Sequence, residues 1–496
     1  MINKKLSATT KPFVELKELL PTGRTAAHDD RAQKHALDLF HRAAQRVPAY
    51  KAFLKSRGID PVRIKTMSDF AKIPITDAKN YISAYPVKDR CWDGDLPSAQ
   101  FIAASSGTTG EPKFWPRNAE QDLEAAMVHE LLYREYFSIQ KRTTLFLIGF
   151  PMGIYVSGIA TLLPTWLSSF KKYPMTVMSI GNNKKEMLRA VKHLSHQYDQ
   201  TILIGHPFFI KDVIESGAQE GIVWAKKNLG LMFCSEGFSE VWRNYIIKKA
   251  GIPRSAMRVF NTYGSSEMLL MGYETQFSIG VKALAEKNQT FLNTLTGGVA
   301  APQFFQYNPH LRYIESVDNE LIFTSESGIP LIRFNLHDRG SVYSVHDIKT
   351  AMGKMNIKPV YPAPLVALWG RSDQTIIFYA ANIYPEHIKA GLNTPAFFKK
   401  LTGKFTMRKD YIKNLDEFLE INVELQQNIQ PTRTLANDIQ KAVLEKLEKV
   451  NLEYKFLREH LDKDIVPRIK LWRYNDEKYF KPGLKPRYID TTPSKQ

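Results

Sequence analysis

Cysteine is scarce, with two in 496 residues, Cys91 and Cys234, far apart along the chain. That pair gives neither a disulfide framework nor a metal quartet, so a reducing compartment fits and structural zinc does not. Apolar runs are short, and none approaches the roughly 20 residues of a membrane-spanning helix. The polar start Met1 to Thr10 lacks the apolar centre of a signal peptide, and the expected location is the cytoplasm. Internal repeats, low-complexity tracts and long blocks of one charge sign are also missing.

The residues that are present suit a soluble folded protein: 44% hydrophobic and 24% charged, in a chain long enough for two or more domains and an ample core. A formal charge of +18 is compatible with nucleic acid, a membrane surface or a polyanionic small molecule as partner. The charge is spread along the chain, so a solvated, lysine-rich surface is the plain reading and nucleic acid is not the expected partner. Such a surface would still draw in a nucleotide.

Residues 1 to 30 show no clear period. Ala36, Leu39, Phe40, Ala43 and Val47 then recur at three- and four-residue steps, which predicts an amphipathic helix ended by Pro48. Further on, one pattern repeats: a short apolar run, a Gly/Ser/Asn loop, then a helix-like segment. Leu145 to Ile148 precede Gly149, Thr201 to Ile204 precede Gly205, Leu231 to Phe233 precede Ser235-Glu236-Gly237, and Val259-Phe260 precede a loop from Asn261 to Ser266. The fold class is therefore α/β, with helix-covered parallel or mixed sheets whose ligands sit beyond the carboxyl ends of the strands. Residues 297 to 345 alternate over short stretches such as Glu320 to Thr324, which suggests antiparallel strands and a small distorted barrel. The proline-rich stretch Pro359 to Pro364 suits a junction, dividing the chain into a large domain, 1–369, and a small one, 370–496. In the latter we expect strands at Thr375 to Tyr379, Phe418 to Leu425 and Ile469 to Tyr474. A helix from Thr434 to Val450, with Leu435, Ile439, Val443 and Leu447 on one face, completes a small α+β unit.

The most informative stretch is Ala104-Ser105-Ser106-Gly107-Thr108-Thr109-Gly110-Glu111-Pro112-Lys113, directly after the apolar run Phe101 to Ala104. Glycines let a backbone approach an anion, hydroxyls add neutral donors, and Lys113 supplies a mobile positive charge, so the loop suits polyphosphate. The spacing is not that of a Walker loop. An ordinary Ser/Gly-rich surface loop is the alternative. The stretch resembles the phosphate loop of adenylate-forming enzymes, the superfamily of acyl-CoA synthetases and adenylation domains. Upstream, Val47-Pro48-Ala49-Tyr50 and Ile73-Pro74-Ile75-Thr76 are similar to segments that precede this loop in phenylacetate-CoA ligases.

Other segments follow in the order that the resemblance requires. Tyr263-Gly264-Ser265-Ser266-Glu267 resembles the "YGxTE" motif, which implies that Tyr263 packs on adenine, the hydroxyls meet phosphate or carboxylate, and Glu267 helps to hold Mg²⁺. Taken alone, Glu267 is also what the first turn of a helix favours. Cys234 to Glu240 looks like a degenerate "GAEPWTE" element, placing Glu236 beside the adenine and acyl groups; a simple helix-start carboxylate is the other reading. Gly149 to Tyr155 matches the position of the substrate loop, so Tyr155 is a candidate for the acyl pocket or for the core. Pro330 to Asp338 is similar to "PlIRYrTGD", and Asp338 falls on the aspartate that accepts both ribose hydroxyls, with His337 where glycine or arginine is commoner. Gly370-Arg371-Ser372-Asp373-Gln374 matches the "GRSDD" hinge, in which Arg371 would contact the nucleotide and Asp373 would be the pivot of a mobile small domain.

Two positions depart from the pattern. Ala380 replaces the glycine that lets a pantetheine arm pass, and a methyl there narrows a tunnel. In Gly483-Leu484-Lys485-Pro486-Arg487, an ungapped match puts Leu484 on the late catalytic lysine, leaving Lys485 as first choice and Lys481 in reserve. A solvated tail lysine is the alternative for either. The resemblance, over about residues 31 to 490, implies ATP and Mg²⁺ as cofactors and activation of a carboxylic acid, aromatic by likeness to phenylacetate, to an acyl-adenylate. Transfer to a thiol follows, with CoA as the expected acceptor. Delivery to a carrier protein or an amine, and a nucleotide-binding relative without catalysis, remain as alternatives.

Overall fold

The structure, a computed structural model, describes residues 26–105, 113–254, 257–296, 302–353, 363–371, 375–379, 381–397, 399–412, 415–461, 465–480 and 488–490. They fall into two compact units, the first drawn from Met1–Ser105, Phe114–Gly181 and Glu186–Ser372, the second from Ser106–Lys113, Asn182–Lys185 and Asp373–Gln496. Among the described residues no helix is long and apolar enough to cross a membrane.

The first unit opens with helix α1, Ala26–Arg46, which buries Ala36, Leu39, Phe40 and Ala43 as the three- and four-residue spacing predicts. Pro48 stops it and also starts α2, Pro48–Ser56, where a missing N–H costs nothing in the first turn. These helices pack on antiparallel strands through Tyr50, Phe53, Phe70, Phe323 and Phe334.

The strands in chain order are β1 (Thr76–Asp77), β2 (Phe101–Ser105), β3 (Lys113–Arg117), β4 (Thr144–Gly149), β5 (Met175–Ser179), β6 (Gln200–Gly205), β7 (Leu229–Phe233) and β8 (Val259–Ser265). They continue with β9 (Leu269–Tyr273), β10 (Gln303–Gln306), β11 (Tyr313–Val317), β12 (Glu320–Ser325), β13 (Leu331–Tyr343) and β14 (Leu365–Arg371). Twelve form one sheet in the order β11-β12-β13-β14-β10-β9-β8-β7-β6-β4-β5, with β1 beside β13. From β5 to β8 the pairing is parallel, as unbroken apolar runs between helices require. Helix α3, Ala119–Phe137, covers this part, with Tyr136 stacked on Phe260 at 4.2 Å. From β8 to β14 the sheet is antiparallel. β13 runs long enough to pair with β12 and β1 early on and with β14 from Asp338 to Tyr343.

Gly340 lies at a register shift of β13 against β14. A methyl there would meet the backbone carbonyl of Ala367, which cannot turn aside. Gly340→Ala is expected to lower stability by about 1–3 kcal/mol, the usual range for overpacking, read as an earlier midpoint in urea.

The second unit contains a hairpin, β15 (Ile376–Phe378) with β16 (Ala381–Ile383), and a three-stranded sheet of β17 (Leu401–Tyr411), β18 (Glu417–Leu425) and β19 (Arg468–Trp472). A long helix, Arg433–Val450, buries Leu435, Ile439, Val443 and Leu447, the four residues that the sequence pattern places on one face. β17 has no counterpart in the sequence reading. Its Lys404, Arg408 and Lys409 pair with Glu424, Glu420 and Glu417 of β18 at 3.2, 3.1 and 2.9 Å, so a half-buried strand reads as a charged loop.

Candidate active site

Three parallel strands, β4, β6 and β7, finish level with one another, and the parallel pairing of β8 stops at the same level. Gly149 pairs with Gly205, Gly205 with Phe233 and Phe233 with Asn261, so the segments after β4, β6 and β7 and the part of β8 beyond Asn261 share one edge of the sheet. Tyr155 closes the segment after β4 and caps the next helix, Val156–Ser169. Its backbone bridges Ala104 of β2, whose N–H donates to Ile154 O at 2.8 Å. The substrate-loop candidate and the strand entering the phosphate loop are thereby joined. Ser105 ends β2, with its Oγ accepting from Trp115 Nε1 at 2.9 Å, and Lys113 opens β3. Ser106, Gly107, Thr108, Thr109 and Gly110 lie outside the described residues.

The loop predicted from Asn261 to Ser266 is strand for most of its length. β8 continues to Ser265 because β9 folds back on it, with Tyr263 opposite Gly272 and Ser265 opposite Leu269. Ser266 and Glu267 sit in the turn between them, half-buried, so Glu267 is a turn residue and no helix follows it. Ser265 Oγ accepts from Met268 N at 3.2 Å across that turn. Gly264 is tight against the Leu269 carbonyl, 2.8 Å from where a Cβ would stand.

Tyr263 is buried, stacks on Phe305 at 5.6 Å, and donates its hydroxyl hydrogen bond to Asp338 Oδ2, 75 residues away. Asp338 is itself buried and lies at the irregularity between β13 and β14, opposite Arg371 in the ladder. Such irregularities re-aim a side chain. The preceding His337 has φ 63°, a conformation natural to glycine. Its N–H is fixed by Asn335 Oδ1 at 2.6 Å, and its ring stands 3.8 Å from Asp77 Oδ2 and 3.9 Å from Glu320 Oε2. The histidine keeps the glycine's backbone shape, so Asp338 retains its contact with Tyr263.

Beneath Glu236 and Tyr263 lies an ionic cluster that sequence reasoning missed. Asn261 Nδ2 donates to the Glu236 carbonyl at 2.8 Å, and Asn261 N to Glu274 Oε2 at 2.7 Å. Glu274 also accepts from Arg243 at 2.6 Å, and Arg243 is bonded to Glu240 at 2.8 Å. Lys282, on helix Gln276–Lys287, stands 3.4 Å from Glu240 and 3.7 Å from Glu274, and donates to the Phe238 carbonyl. Burial alone would raise the Glu274 carboxyl; the Arg243 and Lys282 charges outweigh it and hold the group below the usual carboxylate range. The available signal was an acid, Glu274, directly after the apolar strand Leu269–Tyr273.

Among the described residues no group of three or more His, Cys, Asp or Glu side chains could hold a metal. A half-buried carboxylate, Glu267, in the turn that follows Ser265 fits magnesium that arrives on phosphate, since that ion commonly takes one or two carboxylates and completes its shell with phosphate oxygens and water.

No family model matches the chain. It is 21% identical to a phenylacetate-coenzyme A ligase of Aromatoleum evansii over 80% of this chain and 83% of that protein. It is 22% identical to one of Thermus thermophilus over 70% and 71%. Its structure superposes on 2-hydroxyisobutyryl-CoA ligase in complex with 2-HIB-AMP and CoA, in the thioesterification state, with a TM-score of 0.66. The identity is 15%, over 95% of this chain and 90% of that one. The chain has the adenylate-forming fold.

In the second unit, two segments bear on an adenylate-forming reading. Asp373, Ala380, Lys481 and Lys485 lie outside the described residues, as does the Arg371 side chain. Three positions after Lys485, Met407 of β17 donates to Tyr488 O at 2.6 Å and accepts from Asp490 N at 2.9 Å, so Ile489 forms a single parallel bridge beside β17. Tyr379, the residue before Ala380, donates its N–H to Glu417 Oε2 at 2.9 Å.

Proposed function

We propose that this protein is an AMP-forming carboxylate ligase: it activates an aromatic carboxylic acid with MgATP and passes the acyl group to a thiol, first of all CoA. The observation that supports it most is the Tyr263 to Asp338 hydrogen bond, which unites two motif segments far apart in sequence at one place on the sheet. In this reading Tyr263 presents its ring to adenine. A carboxylate has about four acceptor positions, so Asp338 can hold ribose hydroxyls while still bonded to Tyr263. Glu236 lies beside the base and the acyl group, and Tyr155 borders the acyl group. Ser105 to Gly110, Lys113, Gly264, Ser265 and Ser266 receive the phosphates. Glu267 holds the magnesium, Arg371 meets the nucleotide, and Asp373 is the pivot of the small domain.

The first step forms a bond between a carboxylate oxygen and the α-phosphorus and breaks the bond to pyrophosphate, with Lys485 steadying the charge on the pentavalent phosphorus. In the second, a thiolate attacks the acyl carbon, AMP leaves with the bonding electrons, and the thiol proton passes to solvent. Ala380 in place of glycine favours one variant of this reading, in which a carrier-protein thiol or an amine is the acceptor.

Pyrophosphate exchange over aryl, fatty and amino acids, with and without CoA, tests both. Exchange with an aryl acid and consumption of CoA is the expected result. Exchange without CoA consumption moves the acceptor to a carrier or an amine, and ATP binding with no acid-dependent exchange rejects the ligase.

A further inference from the structure

The helix Val156–Ser169 is amphipathic the wrong way round. Its buried positions include Thr161, Thr165 and Ser168, whose hydroxyls donate back to the carbonyls of Ser157, Thr161 and Pro164 at 3.0, 2.6 and 2.8 Å. Its outer side carries the apolar residues. Ile159, Leu163, Trp166 and Phe170, at steps of four, three and four, form one stripe. The first two are half-buried, while Trp166 and Phe170 are 51% and 42% exposed and set edge to face at 4.9 Å. No residue from Val156 to Ser169 is charged, and Lys171 beyond it is turned inward to Glu130 at 2.5 Å. Thr165 meets Tyr133 of α3 at 2.7 Å, so the stripe on the opposite face points away from α3, towards the β5 side of the sheet.

β5 is the last strand on that side. Pro174 O and Ile180 N both bond to β4, at 2.8 and 2.9 Å. By the alternation along a strand, the N–H and C=O groups of Val177 and Ser179 then face away from β4, and among the described residues no strand pairs with them. Edges are normally guarded by charge, proline or a bulge. Met175–Ser179 has no charge, no proline and an unbroken register with β4, and it exposes Thr176 and Met178.

We propose that this face docks a second copy of the chain, the two β5 edges pairing antiparallel about a two-fold axis normal to the sheet and the two helix stripes packing together on one side of it. An unpaired backbone edge takes a strand and is of no use to a lipid surface. The helix also lacks the lysines and arginines by which an interfacial helix meets anionic lipid. Two chains of formal charge +18 repel one another, and an uncharged face lets them meet without bringing lysines together. A five-residue edge with one helix stripe is small against the roughly 800 Å² per partner of a standard interface, so the dimer should form at micromolar concentration. It forms whatever reaction the site performs.

Sedimentation velocity of the full chain, from nanomolar to high micromolar concentration, should show a monomer giving way to a dimer. Added salt should strengthen association by screening the repulsion. Met178→Lys and Trp166→Lys should each weaken it by about 100-fold or more, because a two-fold axis sets each new charge near its own copy. Val62→Lys, which adds the same charge at another exposed apolar position, should change it little. Met178→Lys leaves the helix untouched and so guards against a misfolded Trp166→Lys. Hydrogen exchange in the wild type needs no variant: the Val177 and Ser179 amides should gain protection as concentration rises. A monomer at every concentration, association that weakens with salt, or a dimer that Met178→Lys leaves intact or Val62→Lys disrupts equally overturns the proposal. So does exchange at Val177 and Ser179 that is independent of concentration. A chain that stays monomeric and binds vesicles of phosphatidylglycerol and phosphatidylcholine would give the face to a membrane and overturn it as well.

Discussion

Lys485→Ala is expected to reduce acid-dependent pyrophosphate exchange by at least about 10²–10³-fold, the cost of removing one group that meets charge as it develops, while thioester formation from supplied acyl-AMP continues. The asymmetry follows from the chemistry. Charge accumulates on the α-phosphate oxygens only when the carboxylate attacks and pyrophosphate departs, so a cation there accelerates the first half-reaction and has no task in the second. An ammonium on a flexible stem suits this, since it can approach for one step and withdraw for the next. Among the described residues the first after Lys485 is Tyr488, three positions on and seven beyond Lys481, and it and Asp490 are bonded to Met407. Loss of exchange in Lys481→Ala with Lys485 intact would transfer the assignment to Lys481. Loss in neither variant would remove the tail from the mechanism.

The legible parts of this chain are those where one physical cause acts over a short stretch. Apolar runs ending in Gly149 and Gly205 fixed two adjacent strands of the parallel sheet and the edge where they stop. The face of Leu435, Ile439, Val443 and Leu447 fixed a helix to within a residue. What escaped was set by partners distant in sequence. The strand Leu401–Tyr411 is disguised by lysines and an arginine whose carboxylates lie on the next strand. Asn261 to Ser265 reads as a loop until β9 is seen to pair with it. At the site, motif resemblance supplied Tyr263 and Asp338 separately; the hydrogen bond between them depends on a bulge in a thirteen-residue strand that periodicity does not reveal. Glu274 was hidden for the opposite reason. It carries no motif, and only its burial makes it important.

Glu274→Ala should be among the most destabilising single substitutions in the protein, at about 3–5 kcal/mol, the cost of removing one member of a buried ion pair and stranding the other. Glu274 is fully buried; it bonds Arg243 and the Asn261 amide and lies near Lys282, so its loss leaves two cations facing Glu240 and unpairs a backbone donor. Glu274→Gln keeps an acceptor for Asn261 and should cost less. Unfolding in urea, followed by the intrinsic fluorescence of the seven tryptophans, among them Trp242, which packs on Phe238 beside the cluster, reads both. The sign of the pH dependence is fixed by the depressed carboxyl: its stabilisation is present above the ordinary glutamate value of about 4.3 and is lost as pH falls through the lower folded value. The gap between wild type and Glu274→Gln should therefore be widest near neutrality and narrow in acid. Asn261 begins the strand segment that carries Tyr263 and also holds the Glu236 carbonyl, so the glutamine variant should raise KM for ATP more than it lowers kcat. Adding Lys282→Met to Glu274→Gln removes a cation along with the anion and should recover part of the lost stability; a double variant no better than the single would mean that shape, and not charge balance, holds the two segments in place.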